Sequence, residues 1–314
     1  MISMCRDASS FMREVICYNQ GEYFQYNLLA GELHKTLKDA LRESPTNVEK
    51  LRGLCAQLEE FLNKKLYYVS LQNFRFIKTY FRGRHDKEPR ICIKGNYKKG
   101  GADHIVQLIR EKKVNYPSEY PLEDNSGFLY VKNHGRYFKC DDIPKSIVDD
   151  DYRNARIDTT LARAYYEHRN AASAKSSDQG FQFDQSWVKC WKPPQDDRDP
   201  PSPIDPTSCY KSTIIIPMTL WNNKLAPSFL MELRKKAKEA KEYARTLFGY
   251  LCFDHVEENY FSDDIDIDVG YIFSDIISLY MITRSIYTEL STTYSKVLHD
   301  SLHKPSTQTI INQA

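Results

Sequence analysis

Two apolar runs late in the chain constrain the fold most. Residues 212–221 read STIIIPMTLW and residues 247–255 read LFGYLCFDH. Both are short and rich in β-branched or aromatic residues, as buried strands are. A charged segment predicts a helix over 228–247, inserted between the strands. A segment that opens with acids and continues with helical periodicity predicts a long helix over 260–302. Asp263, Asp264, Asp266 and Asp268 suit the positive end of that helix.

Upstream, Leu29, Leu33, Leu37 and Leu41 recur four apart, which predicts a helix over 26–43. Thr46 and Glu49 have capping-box spacing ahead of a second helix over 47–66, carried by Val48, Leu51, Leu54, Leu58, Leu62 and Leu66. From about 68 the pattern changes. NFRFIKTYF (73–81) and RICIKGNY (90–97) read as a β-hairpin, and GADHIVQLIREKKV (101–114) reads as a helix with Asp103 as its N-cap. Residues 127–145 read as two short strands around Asn133, His134 and Gly135, or as one strand and an irregular return. Residues 152–169 are helical in their second half. Six of the 14 prolines fall between Pro193 and Pro206, so about 171–207 reads as a loop excursion, part of which packs through Trp187 and Trp191. Helices and hairpins segregate rather than alternate. The expected class is therefore α+β, an antiparallel sheet flanked by long helices.

Composition narrows the function classes. Among 314 residues, Lys and Arg number 44 and Asp and Glu 42, a net charge of +2. A dedicated duplex-binding protein carries a stronger basic excess, so nucleic acid is not an expected partner. Residues 1–24 hold Arg6, Asp7, Arg13 and Glu14 and no signal-peptide apolar run; no stretch suits a membrane span. The eight cysteines are scattered at least 12 residues apart, against a disulfide framework or a zinc finger. A cytoplasmic location without membrane contact is expected.

Several constellations carry possible chemistry. On a strand, alternation separates Cys252 and Asp254 from Phe253 and His255, with Asp254 at the turn and His255 exposed. A thiol enzyme using Cys140 or Cys252 would need a base beside the sulfur, and none is evident. Asp264, Asp266 and Asp268 meet half of a calcium-loop pattern, but Val269 stands where glycine is needed. The loop at Gly95–Gly101 lacks the Lys of a phosphate-binding loop. The basic stretch Arg234, Lys235, Lys236, Lys238 and Lys241 is diluted by Glu232, Glu239 and Glu242. Leu279, Ile282, Ile286, Leu290 and Val297 form an apolar stripe near heptad spacing, which suits pairing between subunits or burial within one chain. Asp142, Tyr152, Asn154 and Arg156 lie in a polar stretch that could line a small-molecule pocket, with Arg156 able to hold a phosphate or carboxylate.

The sequence STIIIP (212–217), GYLCFD (249–254), the Tyr260-Phe261-Ser262 triplet and the long helix after it resemble a GAF domain. The resemblance spans about 45–300, and its specific part is about 212–290. The helix at 47–66 resembles the family's lead-in helix. The helix expected at 101–114, followed by Asp141, Asp142 and Ile143, resembles its helix and acidic loop. The chain departs from the family in two insertions, about 145–210 and 222–246, and in lacking a recognisable cyclic-nucleotide or bilin-attachment motif. The resemblance implies a GAF-like domain over 45–302, after an N-terminal helical segment (1–44) and before a loose tail (303–314). It implies a sensor that binds a small molecule, nucleotide-like among the candidates, and signals as a homodimer through helix packing to a separate output partner. Asp142, Tyr152, Asn154, Arg156 and Trp221 are the expected ligand-binding residues. No catalytic residue, metal site or cofactor is assigned. The alternatives are an interaction scaffold with the same fold and a thiol-dependent enzyme.

Overall fold

The computed structural model describes residues 2–43, 47–111, 119–173, 184–193, 204–221, 245–262 and 265–303. The chain divides into two compact units, residues 1–70 with 279–314 and residues 71–278.

The first unit is helical among its described residues. Helix α1 (Ile2–Glu43) joins the first part of α2 (Val48–His85) and the end of α7 (Ile265–His303). Leucines at helical spacing make its core: Leu37, Leu51, Leu58 and Leu62 have no exposed surface. Two buried tyrosines bring a polar tip into this core. Tyr26 donates to the Leu62 carbonyl (3.4 Å) and Tyr280 to the Asn19 carbonyl (2.9 Å).

The second unit is built on a six-stranded antiparallel sheet in the order β3-β2-β1-β6-β5-β4. The strands are β1 (Arg90–Lys99), β2 (Ala102–Arg110), β3 (Glu119–Pro121), β4 (Phe138–Cys140), β5 (Ser212–Trp221) and β6 (Arg245–His255). The two apolar runs form β5 and β6, as expected, paired through ten positions from Ser212↔His255 to Trp221↔Arg245. The architecture is α+β, with an open antiparallel sheet.

Period-two alternation gives the sheet two different faces. On one, Ile91, Ile93, Ile214, Ile216, Leu251 and Phe253 are buried. Phe81 of α2 packs against Phe253 at 5.9 Å between ring centroids, and Gly270 of α7 lies against Ile216 and Phe253. On the other lie α3 (Ser126–His134), α4 (Ile143–Val148), α5 (Thr159–Ser173) and α6 (Gln185–Val188), with Trp187, Trp191, Tyr152 and Tyr210 in one buried cluster.

Several expectations are corrected. Residues 73–81 belong to α2, not to a strand: Phe74, Ile77 and Phe81 are fully buried at three- and four-residue spacing, and that packing overrides their β propensity. Residues 102–110 are strand β2, not a helix, because Gly100 and Gly101 take positive φ (59° and 86°) and close a tight hairpin from β1. The 127–145 region opens with helix α3, stopped by Gly135 at φ 65°, before the short β4. His255 is 5% exposed rather than solvent-facing. Asp263, Asp264, residues 222–244 of the insertion expected over 222–246, most of the proline-rich stretch (194–203) and the tail (304–314) lie outside the described residues, while residues 245–247, expected to end the inserted helix, belong to β6. Among the described residues no helix is long and apolar enough to cross a membrane.

Candidate functional site

The sheet face beneath α3–α6 is apolar at one end and charged at the other. Strand register fixes its composition. Arg90, Cys92 and Lys94 of β1 stand opposite Asp254, Cys252 and Tyr250 of β6. Asp254 also stands opposite Thr213 of β5, and Cys92 opposite Arg110 of β2. Residues directly opposite one another share a face. Around Tyr250 and Cys252 that face is covered by Leu122, Phe128 and Val131. Towards Arg110 and Asp254 the neighbours are polar: Tyr152 and Tyr210 lie near Asp254, and Arg156 near Arg110.

These polar neighbours centre on the 152–158 segment. Asn154 organises it: Nδ2 donates to the Tyr210 hydroxyl (2.8 Å) and to the Tyr152 hydroxyl (3.3 Å), and Oδ1 accepts from the Arg156 N–H (3.0 Å). The segment is pinned by backbone bonds, Lys192 N–H to the Arg156 carbonyl (2.7 Å) and Asp158 N–H to the Cys190 carbonyl (2.8 Å). The Arg156 guanidinium lies over the Trp191 ring, 5.4 Å from its centroid, while its Nε is buried without a hydrogen-bond partner. Burial pushes the Tyr152 and Tyr210 phenols up, so both are neutral donors and acceptors at pH 7. The 153–160 segment also walls a surface hollow of about 530 Å³ shared with Tyr120 and Lys192.

The charges beneath are poorly matched. Asp254 accepts from Thr213 Oγ1 (2.8 Å) and makes no ion pair among the described residues. Desolvation holds its carboxyl above the usual range, against the pull of Lys94, Arg90 and Arg110. Arg90 Nη1 donates to the Thr207 carbonyl (2.9 Å). Lys94 Nζ sits 4.6 Å above the Phe128 ring. Arg110 makes no hydrogen bond or ion pair among the described residues. Desolvation is the chief cause that lowers its pKa, with Arg90 and Arg156 adding repulsion against the opposing pull of Cys92 and Asp254.

The structure therefore brings Tyr152, Asn154 and Arg156 together but spends Asp142 elsewhere. Asp142 caps α4, accepting from the Lys145 N–H (2.9 Å), and pairs with Arg169 at 3.0 Å. Trp221 closes β5 at the end away from Thr213, roughly 26 Å along the strand at the usual rise per residue; its side chain lies outside the described part of the chain. Sequence reading missed Arg90, Lys94, Arg110 and Tyr210, and it set Asp254 at a turn where the structure pairs it within β6. One signal was present: the alternation that buries Ile91 and Ile93 puts Arg90 and Lys94 together on the opposite face.

Neither Cys140 nor Cys252 is an activated thiol, whereas a hydrogen bond with Cys252 is the chief cause that lowers the pKa of Cys92. Burial pushes Cys140 up to about 11, and its Sγ donates to Ser146 Oγ (3.3 Å). Cys252 is raised well above its ordinary value by the same cause. Among the described residues no group of three His, Cys, Asp or Glu is placed to hold a metal ion.

No family model matches the chain, and no curated protein matches it. Among solved structures, one similar chain is the chromophore-binding domain of an unusual bacteriophytochrome from R. palustris, at 11% identity and a TM-score of 0.27. The match covers 76% of this chain and 61% of that one, so the chain spans about three fifths of that structure's length.

Proposed function

We propose that the chain is a GAF-like sensor module that binds a small molecule on the sheet face beneath residues 152–158. It signals as a homodimer by a change in helix packing, read by a separate output partner. One observation carries this reading: a polar network of Tyr152, Asn154, Arg156 and Tyr210 covers a charged part of the sheet, where an apolar cover would be cheaper for stability alone. Polar groups converging over a sheet face are what orients a small ligand. The dimer reading is supported by α7, which exposes Leu279 (41%) and Ile286 (36%) one heptad apart, with Ile282 buried between them.

Native mass spectrometry of protein purified from cells, before and after denaturation, tests the reading. A bound small molecule released on denaturation, and lost in Asn154→Ala while that variant remains folded, is the expected result. A ligand-free spectrum, together with no thermal shift across a nucleotide and metabolite panel, would overturn it and leave the scaffold.

A further inference from the structure

We propose that the sheet face beneath residues 152–158 binds a phosphate-bearing small molecule, its phosphate held by Arg90, Arg110 and Arg156 with Lys94 at the edge. This rests on the sensor reading and names the chemistry of its ligand.

The argument is one of charge balance at close quarters. Strand register places Arg90, Lys94 and Arg110 on one face of neighbouring strands β1 and β2, and Arg156 of the pinned 152–158 segment lies close enough to Arg110 to repel it. All four cations are only partly exposed. The carboxylate among them, Asp254, and the Cys92 thiol opposite Arg110, drawn towards its thiolate chiefly by Cys252 and further by Lys94 and Arg110, leave at least two positive charges without an opposite. An uncompensated, partly desolvated charge is unfavourable. A lysine can shed that cost by releasing its proton, but an arginine cannot at any pH of interest. Three of the four are arginines, so an anion is what relieves the cluster.

Donors on that face stay free for the anion. In the strand order β2-β1-β6-β5, Asp254 of β6 takes its hydrogen bond from Thr213 of β5, on the side away from the arginines of β1 and β2. Arg110 has all five donors uncommitted among the described residues. Arg156 has a buried Nε without a partner, and Arg90 has one Nη engaged by Thr207. Planar guanidinium forks match phosphate oxygens two at a time. Three forks suit a group of charge −2 or more, which a phosphate supplies and a single carboxylate does not.

The test is differential scanning fluorimetry and titration calorimetry on the full chain, with pyrophosphate as the probe and malonate as the carboxylate comparator. Variants are Arg110→Gln, Arg110→Lys and, as a control, Lys145→Gln, whose side chain pairs on the surface with Asp149. Pyrophosphate is expected to raise the wild-type melting temperature more than malonate does. Arg110→Gln should weaken pyrophosphate binding roughly tenfold or more, and Arg110→Lys should restore only part of it. Without ligand, Arg110→Gln should melt no lower than wild type, because it removes an unpaired cation. No binding of pyrophosphate, or equal binding by Arg110→Gln and wild type, would overturn the inference. So would an Arg110→Gln chain that melts lower without ligand and still binds as wild type does. If the ligand that co-purifies from cells is lost in Asn154→Ala but retained in Arg110→Gln, the sensor reading stands and the phosphate inference falls. If no ligand co-purifies and none is found in the panel, both fall.

Discussion

Arg90 and Asp254 stand directly opposite each other on β1 and β6, yet the carboxylate takes its hydrogen bond from Thr213 on its other side. Desolvation holds Asp254 above its unfolded pKa. A carboxyl raised by folding favours the folded state most when protonated, and that contribution is lost as pH rises from its ordinary value of about 4 through its raised one. Asp254→Asn keeps an acceptor for Thr213 and removes the titration. The variant should gain stability relative to wild type as pH rises through that window. Melting temperatures of both proteins across the range check the sign.

His255 gives the opposite dependence. Its ring stacks on Tyr260 at 3.6 Å, and its Nδ1 accepts the Glu257 N–H at 3.1 Å, which requires that nitrogen to be unprotonated. Burial is the chief cause that lowers its pKa from 6.5 to about 4, with Glu257 opposing. The unfolded chain then binds the proton first. Stability present above pH 6.5 should fall as pH drops towards about 4, by about 3 kcal/mol in total. Denaturant unfolding at stepped pH should show this slope in wild type and a flatter one in His255→Gln.

Glycine-to-alanine changes should differ in sign with position. A Cβ on Gly270 of α7 would lie 2.9 Å from Ile216 Cγ1 and 3.3 Å from Phe253 Cε2. Gly270→Ala should therefore destabilise by about 1–2 kcal/mol, overpacking outweighing the better helix former. Gly53 of α2 has nothing within 4 Å of such a Cβ, and Gly53→Ala should stabilise by about 0.5–1 kcal/mol. Urea midpoints with unchanged slope for both variants are the measurement.

Asp266 holds the start of α7 by spending its carboxylate on several donors. It accepts from the Ser262 N–H (2.7 Å) and the Tyr80 hydroxyl (3.0 Å), and His85 Nε2 lies 3.1 Å away. The side chain is fully buried. Asp266→Ala would strand these groups and should cost about 3–5 kcal/mol. Loss of helical circular dichroism at a lower urea concentration than wild type is the expected readout.

What was legible in the sequence was what a single element decides alone. Strands β5 and β6 and helices α5 and α7 announce themselves because their burial follows one local period. The stretch around Phe74, Ile77 and Phe81 misleads because its residues favour strands while their three- and four-residue spacing buries one helix face. The Gly100–Gly101 pair was the stronger signal for β2, since it fits the turn of a two-residue hairpin. The site divides the same way. Tyr152, Asn154 and Arg156 could be grouped from sequence because they are neighbours along the chain. Arg90, Arg110 and Asp254 meet only through the pairing of three strands, and nothing local in any one of them specifies that register.

The same pairing sets a timetable for the chain's first minute. Cys92 and Cys252 face each other in the middle of the sheet from positions 160 apart. At usual ribosome speeds that separation takes on the order of ten to thirty seconds to translate. For that interval the inner edge of β1 is an open row of amide and carbonyl groups, a template for any passing strand. Contacts of this sequence range also make folding slow once the chain is released. Yield from cells should therefore depend on chaperone supply and growth temperature more than equilibrium stability alone would suggest.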